Sequence, residues 1–155
     1  MPAVVTLDDV FQIAMEAEET GQLFYEALGA SSSNQRVADM CQRMRLQEKG
    51  HYDKFQRMRD QYLPTSQGHQ CSQEQIQRII KDRIIPDPST VHNVLVEKSL
   101  KLALDMAIEM EENSIELYRD LQPLLSEQDA RVVEHIIDEE LQHAADLRED
   151  RKQLT

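Results

Sequence analysis

The sequence predicts an all-α fold, a bundle of four long amphipathic helices arranged as two antiparallel hairpins with one long crossover between them. Three observations carry that prediction. Four segments of more than twenty residues repeat apolar side chains at helical spacing. Strand signals are almost absent, with no alternating β-branched runs and no Asn-Gly or Asp-Gly turns. The connections between the four segments run short, long, short. A length of 155 residues fits one domain spanning 1–155, large enough to enclose a hydrophobic core.

The first segment covers about 7–28, with Thr6 or Asp8 placed to cap its amides and Gly29 placed to end it in a left-handed conformation. Its stripe is Phe11, Ala14, Met15, Gln22 and Tyr25. The polar run Ser31 to Asn34 opens a second segment over about 34–61, with Val37, Cys41, Met44, Phe55 and Met58 in line and Pro64 to stop it. A third follows Pro88-Ser89-Thr90 and runs to about 121, carrying Leu100, Leu104, Ile108, Ile115 and Tyr118, with Pro123 just beyond. The fourth, about 127–150, has Ser126 as its cap, Asp129 in its first turn, and a stripe of Val133, Ile136, Ile137, Ala144 and Leu147. About five residues join segments one and two, and again three and four, so each pair is an antiparallel hairpin. Roughly 28 residues separate the hairpins, and their interior predicts a short helix between Ser72 and Ile85.

Seventeen basic against 29 acidic side chains give a formal charge of -12, which repels phosphate backbones and anionic lipid surfaces. Nucleic acid and membranes are therefore not expected partners. The N-terminus lacks a basic region followed by an apolar one, and no stretch approaches the roughly 20 apolar residues that span a bilayer, so a cytoplasmic location is expected. Cys41 and Cys71 are the two cysteines, too few for a zinc ribbon or a thiolate iron site within the chain. An acidic protein that turns carboxylates inward needs a cation to balance them, because buried unpaired charge is costly.

The stripes show where that happens. Glu18 falls between Met15 and Tyr25, and Glu111 between Ile108 and Tyr118. The second stripe contains Glu48 and His51; the fourth contains Glu140 and His143. An internal repeat relates these groups. A slide of 93 residues superposes Glu18 on Glu111 and Tyr25 on Tyr118, with six of fifteen positions from 14 to 28 identical, and a slide of 92 superposes Glu48 and His51 on Glu140 and His143. Residues three apart share a helix face, so each Glu-x-x-His offers an oxygen and a nitrogen to the same side. Four carboxylates and two imidazoles balance two divalent cations, a donor set suited to iron, manganese or zinc. This constellation is a known pattern of dimetal helical bundles.

Other charged and soft residues read differently. Glu16, Glu19, Glu109 and Glu112 belong to the same acidic runs but fall out of phase with the stripes, as solvated positions do. His69, His92 and His135 lack a Glu three residues before them and read as hydrogen-bonded structural groups. The methionines at 15, 44, 58, 106 and 110 read as core filler. Tyr25 and Tyr118 lie two turns beyond Glu18 and Glu111, where they either pack in the core or donate to a ligand carboxylate.

Glu18 with Tyr25, Glu48-x-x-His51, Glu111 with Tyr118 and Glu140-x-x-His143 together resemble the rubrerythrin branch of the ferritin-like superfamily, over all four helices. The resemblance implies a ferritin-like four-helix bundle with a non-haem di-iron site. In it Glu18 and Glu111 are terminal ligands, Glu48 and Glu140 bridges, and His51 and His143 complete one ion each. It further implies reduction of peroxide or dioxygen, and it leaves a homodimer open. Two departures stand out: Cys41 and Cys71 cannot form a rubredoxin domain, so a separate electron donor is expected, and Ser114 stands where the family carries an extra carboxylate on the third helix. Those departures keep two rivals in view, an iron-handling module without turnover and a bundle whose metal is structural.

Overall fold

A computed structural model describes residues 6–62 and 71–154, so Pro64 and His69 lie outside the described residues. The elements are α1 (Leu7–Ser31), α2 (Gln35–Tyr62), α3 (Gln73–Arg83), α4 (Pro88–Glu97), α5 (Leu100–Leu121), a single 3-10 turn at Gln122–Leu124, and α6 (Glu127–Lys152). Helices α1 and α2 form one hairpin and α5 and α6 the other; α3 lies against α1, and α4 leads into α5. No strand occurs among the described residues.

The helix starts follow their capping chemistry. The Thr6 hydroxyl accepts from the Asp9 amide at 3.1 Å while the Asp9 carboxylate accepts from the Thr6 amide at 2.8 Å, satisfying two of the amides that a helix N-terminus leaves unpaired. Ser126 caps α6 through the Asp129 amide, and Ser72 with Gln75 closes the same reciprocal box at the start of the predicted short helix. Asp9 also accepts from the Cys71 amide at 2.8 Å, and Asp8 accepts from Arg59 at 2.7 Å, so the acidic first turn of α1 ties down the far end of α2 and the start of the crossover.

Two sequence expectations are corrected. Gly29 does not end α1, which continues to Ser31 and leaves through the extended residue Ser32. Gly29 faces α2 instead, where a Cβ would stand 3.0 Å from Cys41 Cβ, so the missing side chain serves a close helix approach. The third long segment, expected to run as one helix from after Pro88-Ser89-Thr90 to about 121, is two helices. It breaks after Glu97, where Lys98 adopts a left-handed conformation with φ of 53° and Ser99 caps α5 through the Leu102 amide. The Asn34 side-chain amide donates to the Lys98 carbonyl at 2.6 Å, so a residue at the turn of the first hairpin holds the break in place. Pro88 lies inside α4, at its first position behind an Asp87 cap, where the lost N–H costs nothing.

The core is two apolar clusters with a polar layer between them. One cluster gathers Phe11, Ala14 and Met15 of α1 with Phe55, Ile76, Leu117, Leu121 and Ile136. The other gathers Tyr25 and Leu28 with Met40, Met44, Leu104, Met106, Met110 and Leu147. Met58 packs part-buried against the first cluster, so the five methionines are core residues. Between the clusters, each of α1, α2, α5 and α6 contributes buried polar side chains at its middle.

Candidate metal centre

Glu18, Glu48, Glu111, Glu140 and His143 are all buried, and His51 is partly buried, because the helical phase that aims apolar neighbours inward aims these side chains inward as well. The Nδ1 atom of His143 lies 2.9 Å from Glu111 Oε1 and 3.9 Å from Glu48 Oε1, and that of His51 lies 3.8 Å from Glu18 Oε1. The two rings stand edge-on, with centroids 4.9 Å apart and planes at 89°. Ligand atoms of His51, Glu140 and His143 fall within 4.8 Å of one another, as do those of Glu48, Glu111 and His143. All six residues read from the sequence thus meet in one layer, while the out-of-phase Glu19, Glu109 and Glu112 are exposed. Glu16 is half-buried and accepts from Gln12 and Gln77 outside the layer.

The electrostatics show what burial does to such a set. Burial is the main cause that raises Glu18, Glu48 and Glu140 well above the usual carboxyl range, and neighbouring carboxylates add to it. Glu111 is pushed up to about 8, again chiefly by burial, with Glu140 opposing the shift through a hydrogen bond and Glu48 adding to it. Burial pushes both imidazoles down to about 4; at His51 the nearby His143 adds to the shift, while Glu139 opposes it and Lys54 supports it. Glu18 Oε2, Glu48 Oε1, Glu140 Oε1 and the Nδ1 atoms of both histidines have no hydrogen-bond partner among the described residues. Orphaned lone pairs of this kind, converging in one buried layer, are what a pair of divalent cations satisfies, so the residues fit a dimetal group. The cavity among Ala17, Glu18, Glu48, Ile84, Met110, Glu111, Ser114 and Glu140 holds about 10 Å³, room for an ion or one water molecule.

Two residues that sequence reasoning passed over shape the layer. The outer nitrogen of His143, Nε2, lies 2.6 Å from Gln47 Oε1, which leaves Nδ1 facing the carboxylates. Gln47 stands four residues before His51, and the repeat that pairs the two histidines pairs Gln47 with Glu139, so the signal was present in the repeat. Glu139 is bound by Lys54, an ion pair across α2 and α6 beside His51. Gly21 is the second: a Cβ there would stand 2.6 Å from Glu48 Oε2, so only glycine leaves room for that carboxylate.

The tyrosines do not act as donors to the carboxylates. Tyr25 is fully buried, and its hydroxyl donates to Met110 Sδ at 3.6 Å; Tyr118 is equally buried, and its hydroxyl has no partner among the described residues. Ser114 lines the cavity, but its hydroxyl donates back to the Met110 carbonyl at 3.1 Å and turns away from the carboxyl layer. His92 and His135 lie outside the layer on exposed helix faces, His135 stacked on Tyr62.

An antiparallel helical bundle with a long crossover and a buried layer of four carboxyls and two imidazoles is a ferritin-like diiron-type protein. The rubrerythrin family profile matches residues 9–151, and the chain belongs to the rubrerythrin family. Among solved structures it is similar to a Thermotoga maritima protein named as a candidate ferritin-like diiron-carboxylate protein, with 28% identity, a TM-score of 0.56, and 96% of each chain covered. No curated protein matches the chain. No helix among the described residues is long and apolar enough to cross a membrane.

Proposed function

We propose that this chain is a di-iron oxidoreductase domain that reduces peroxide or dioxygen with electrons delivered by a separate donor. The observation that carries the reading is the convergence of four buried carboxyls and two imidazoles in one layer, where Glu18 Oε2, Glu48 Oε1, Glu140 Oε1 and both imidazole Nδ1 atoms have no hydrogen-bond partner among the described residues. Glu18 and His51 would hold one ion, Glu111 and His143 the other, with Glu48 and Glu140 shared between them. Iron bound there supplies the one-electron couples that reduction of a dioxygen or peroxide bond requires.

The rest of the chemistry belongs to the protein. The two apolar clusters on either side keep bulk water from the layer, which strengthens every charge interaction inside it. Burial raises the four carboxyls above the usual carboxyl range, and divalent cations held among them would offset the repulsion that ionising them costs. Gln47 holds the His143 ring with Nδ1 inward. A cavity of about 10 Å³ has no room for an organic substrate. Cys41 and Cys71 are both buried and unpaired, so these 155 residues hold no four-cysteine iron site and electrons arrive from outside the domain.

The second reading, iron handling without turnover, is favoured by Ser114, which offers the cavity no carboxylate. One experiment separates the two. The protein is loaded anaerobically with ferrous iron and mixed with one equivalent of peroxide, and the ferric absorbance is followed before and after an external reductant is added. Oxidation that reverses on adding the reductant supports the proposal. No oxidation by peroxide rejects it, and rapid oxidation by dioxygen with release of mineral-like ferric iron assigns the protein to iron handling.

A further inference from the structure

The repeat matches the two histidines but not the groups that stand behind them. A slide of 92 residues sets Gln47 on Glu139, His51 on His143 and Lys54 on Asp146. Each imidazole therefore has one such position on the facing helix and one a turn along its own helix. Behind His143, the Nε2–H donates to Gln47 Oε1 at 2.6 Å, which fixes the tautomer and leaves the Nδ1 lone pair toward the carboxyls. Asp146, a turn along α6, accepts from Gln142 and leaves Gln47 alone.

Behind His51 the approximate two-fold puts Glu139 where Gln47 stands, an acceptor stronger than an amide because it is charged. Lys54, a turn along α2, takes that carboxylate for itself. The outer nitrogen of His51 makes no hydrogen bond of the Gln47 kind among the described residues, and Glu139 and Lys54 act on the ring in opposite senses. Packing repeats the contrast. His143 Nδ1 stands 2.9 Å from Glu111 Oε1 with 3% of its side chain in water, whereas His51 Nδ1 stands 3.8 Å from Glu18 Oε1 with 17%.

We propose that the two ion positions fill in a fixed order, the one beside His143 first and tightly, the one beside His51 second and exchangeably, with Gln47 and Lys54 as the positioning residues that set the difference. The inference rests on the reading of the six side chains as a dimetal site. An imidazole already held by an acceptor at its far nitrogen loses less freedom on ligating and is the more basic ligand. His143 has that support from Gln47. His51 lacks it while Lys54 occupies Glu139, and water reaches the His51 side to compete for the ion.

The test titrates the full chain, stripped of metal, with cobalt(II) in a calorimeter at neutral pH, and locates the metal by anomalous scattering in crystals given one equivalent. Repulsion between the ions splits the two steps even in a symmetric site, so the place of the first ion and the response of each step to substitution decide. The first ion should lie beside His143. Gln47→Leu should weaken the first step about tenfold or more, Gln47→Glu should retain it by keeping an acceptor, and Lys54→Met should tighten only the second step, by about tenfold, through the release of Glu139. That gain should persist in about 0.5 M sodium chloride, where plain repulsion by a solvent-exposed ammonium is screened. Neither side chain is buried, so the variants should keep the wild-type circular dichroism. A first ion beside His51, a first step indifferent to Gln47→Leu, or a second step that Lys54→Met leaves unchanged or tightens only at low salt would overturn the proposal while two ions still bind. A wild type that fails to bind two equivalents would reject the dimetal reading, and the proposal with it.

Discussion

The two hairpins carry the same candidate ligands and differ in what surrounds them. Each supplies one glutamate from its first helix and a Glu-x-x-His from its second, at matching levels of the bundle. Around that common set the first hairpin has Gly21 where the second has Ser114, and Gln47 where the second has Glu139. Tyr25 donates to Met110, whereas the Tyr118 hydroxyl has no partner among the described residues. The His51 side chain is 17% exposed and the His143 side chain 3%, so the layer approaches solvent on the His51 side, beside the Lys54–Glu139 pair. The difference teaches that an approximate two-fold fixes the donor set, while the shape and access of the site come from positions where the two halves have diverged.

The largest expected effect tests what the halves share. Glu48→Ala and Glu140→Ala should each reduce bound iron from two ions per chain to fewer than one, because each removes a carboxylate facing both halves. Replacing the matched controls Glu16, Glu19, Glu109 or Glu112 should leave the content unchanged, since none of them enters the layer. Elemental analysis after gel filtration reads the result, and unequal losses between the two variants would break the two-fold account.

Stability without metal should follow the carboxyls. Those raised by burial bind more protons folded than unfolded, so their contribution is fully present below the ordinary value of about 4.5 and is lost as pH rises, through about 8 for Glu111. The imidazoles act oppositely: held down to about 4, they contribute above about 6.5 and lose that contribution as pH falls through 4. Between pH 6.5 and 8 only the carboxyls change, so the apo melting temperature should fall as pH rises across that interval. At neutral pH, saturating divalent metal at 100 times its Kd should add about 2.7 kcal/mol, roughly 5–10 °C for a chain of this size. Differential scanning calorimetry at several pH values checks both signs.

A smaller effect should separate the halves at positions 21 and 114. Gly21→Ala places a methyl group 2.6 Å from Glu48 Oε2 and should weaken metal binding about tenfold or more, although alanine improves helix propensity by about 1 kcal/mol. Ser114→Ala removes only a bond to its own helix and should change stability and metal affinity by less than about 0.5 kcal/mol. Metal titration with calorimetry distinguishes the two, and equal effects would show that the halves have not diverged there.

How far the sequence could be read follows from the range of each cause. The inward placement of the six candidate ligands was legible because helical phase is local and the repeat supplied a second copy of each. Thr6, Ser72 and Ser126 were legible because a cap acts within three residues. The break at Lys98 was not, since no glycine or proline marks it and the group holding it, Asn34, lies 64 residues away. Gly29 carried the right residue for a helix end and served a helix crossing instead, which only the position of Cys41 reveals. Whether a buried tyrosine reaches a carboxylate or a thioether depends on rotamers and packing, and the phase that placed Tyr25 inward could not choose between them.

The central claim is that Glu18, Glu48, His51, Glu111, Glu140 and His143 hold two iron ions between the two apolar clusters. Its most direct test is a crystal structure of the protein loaded anaerobically with ferrous iron, with anomalous scattering collected on both sides of the iron edge. The account predicts two iron peaks in each chain inside that ring of six side chains, one beside each histidine. A single peak, or peaks held by other residues, would contradict it.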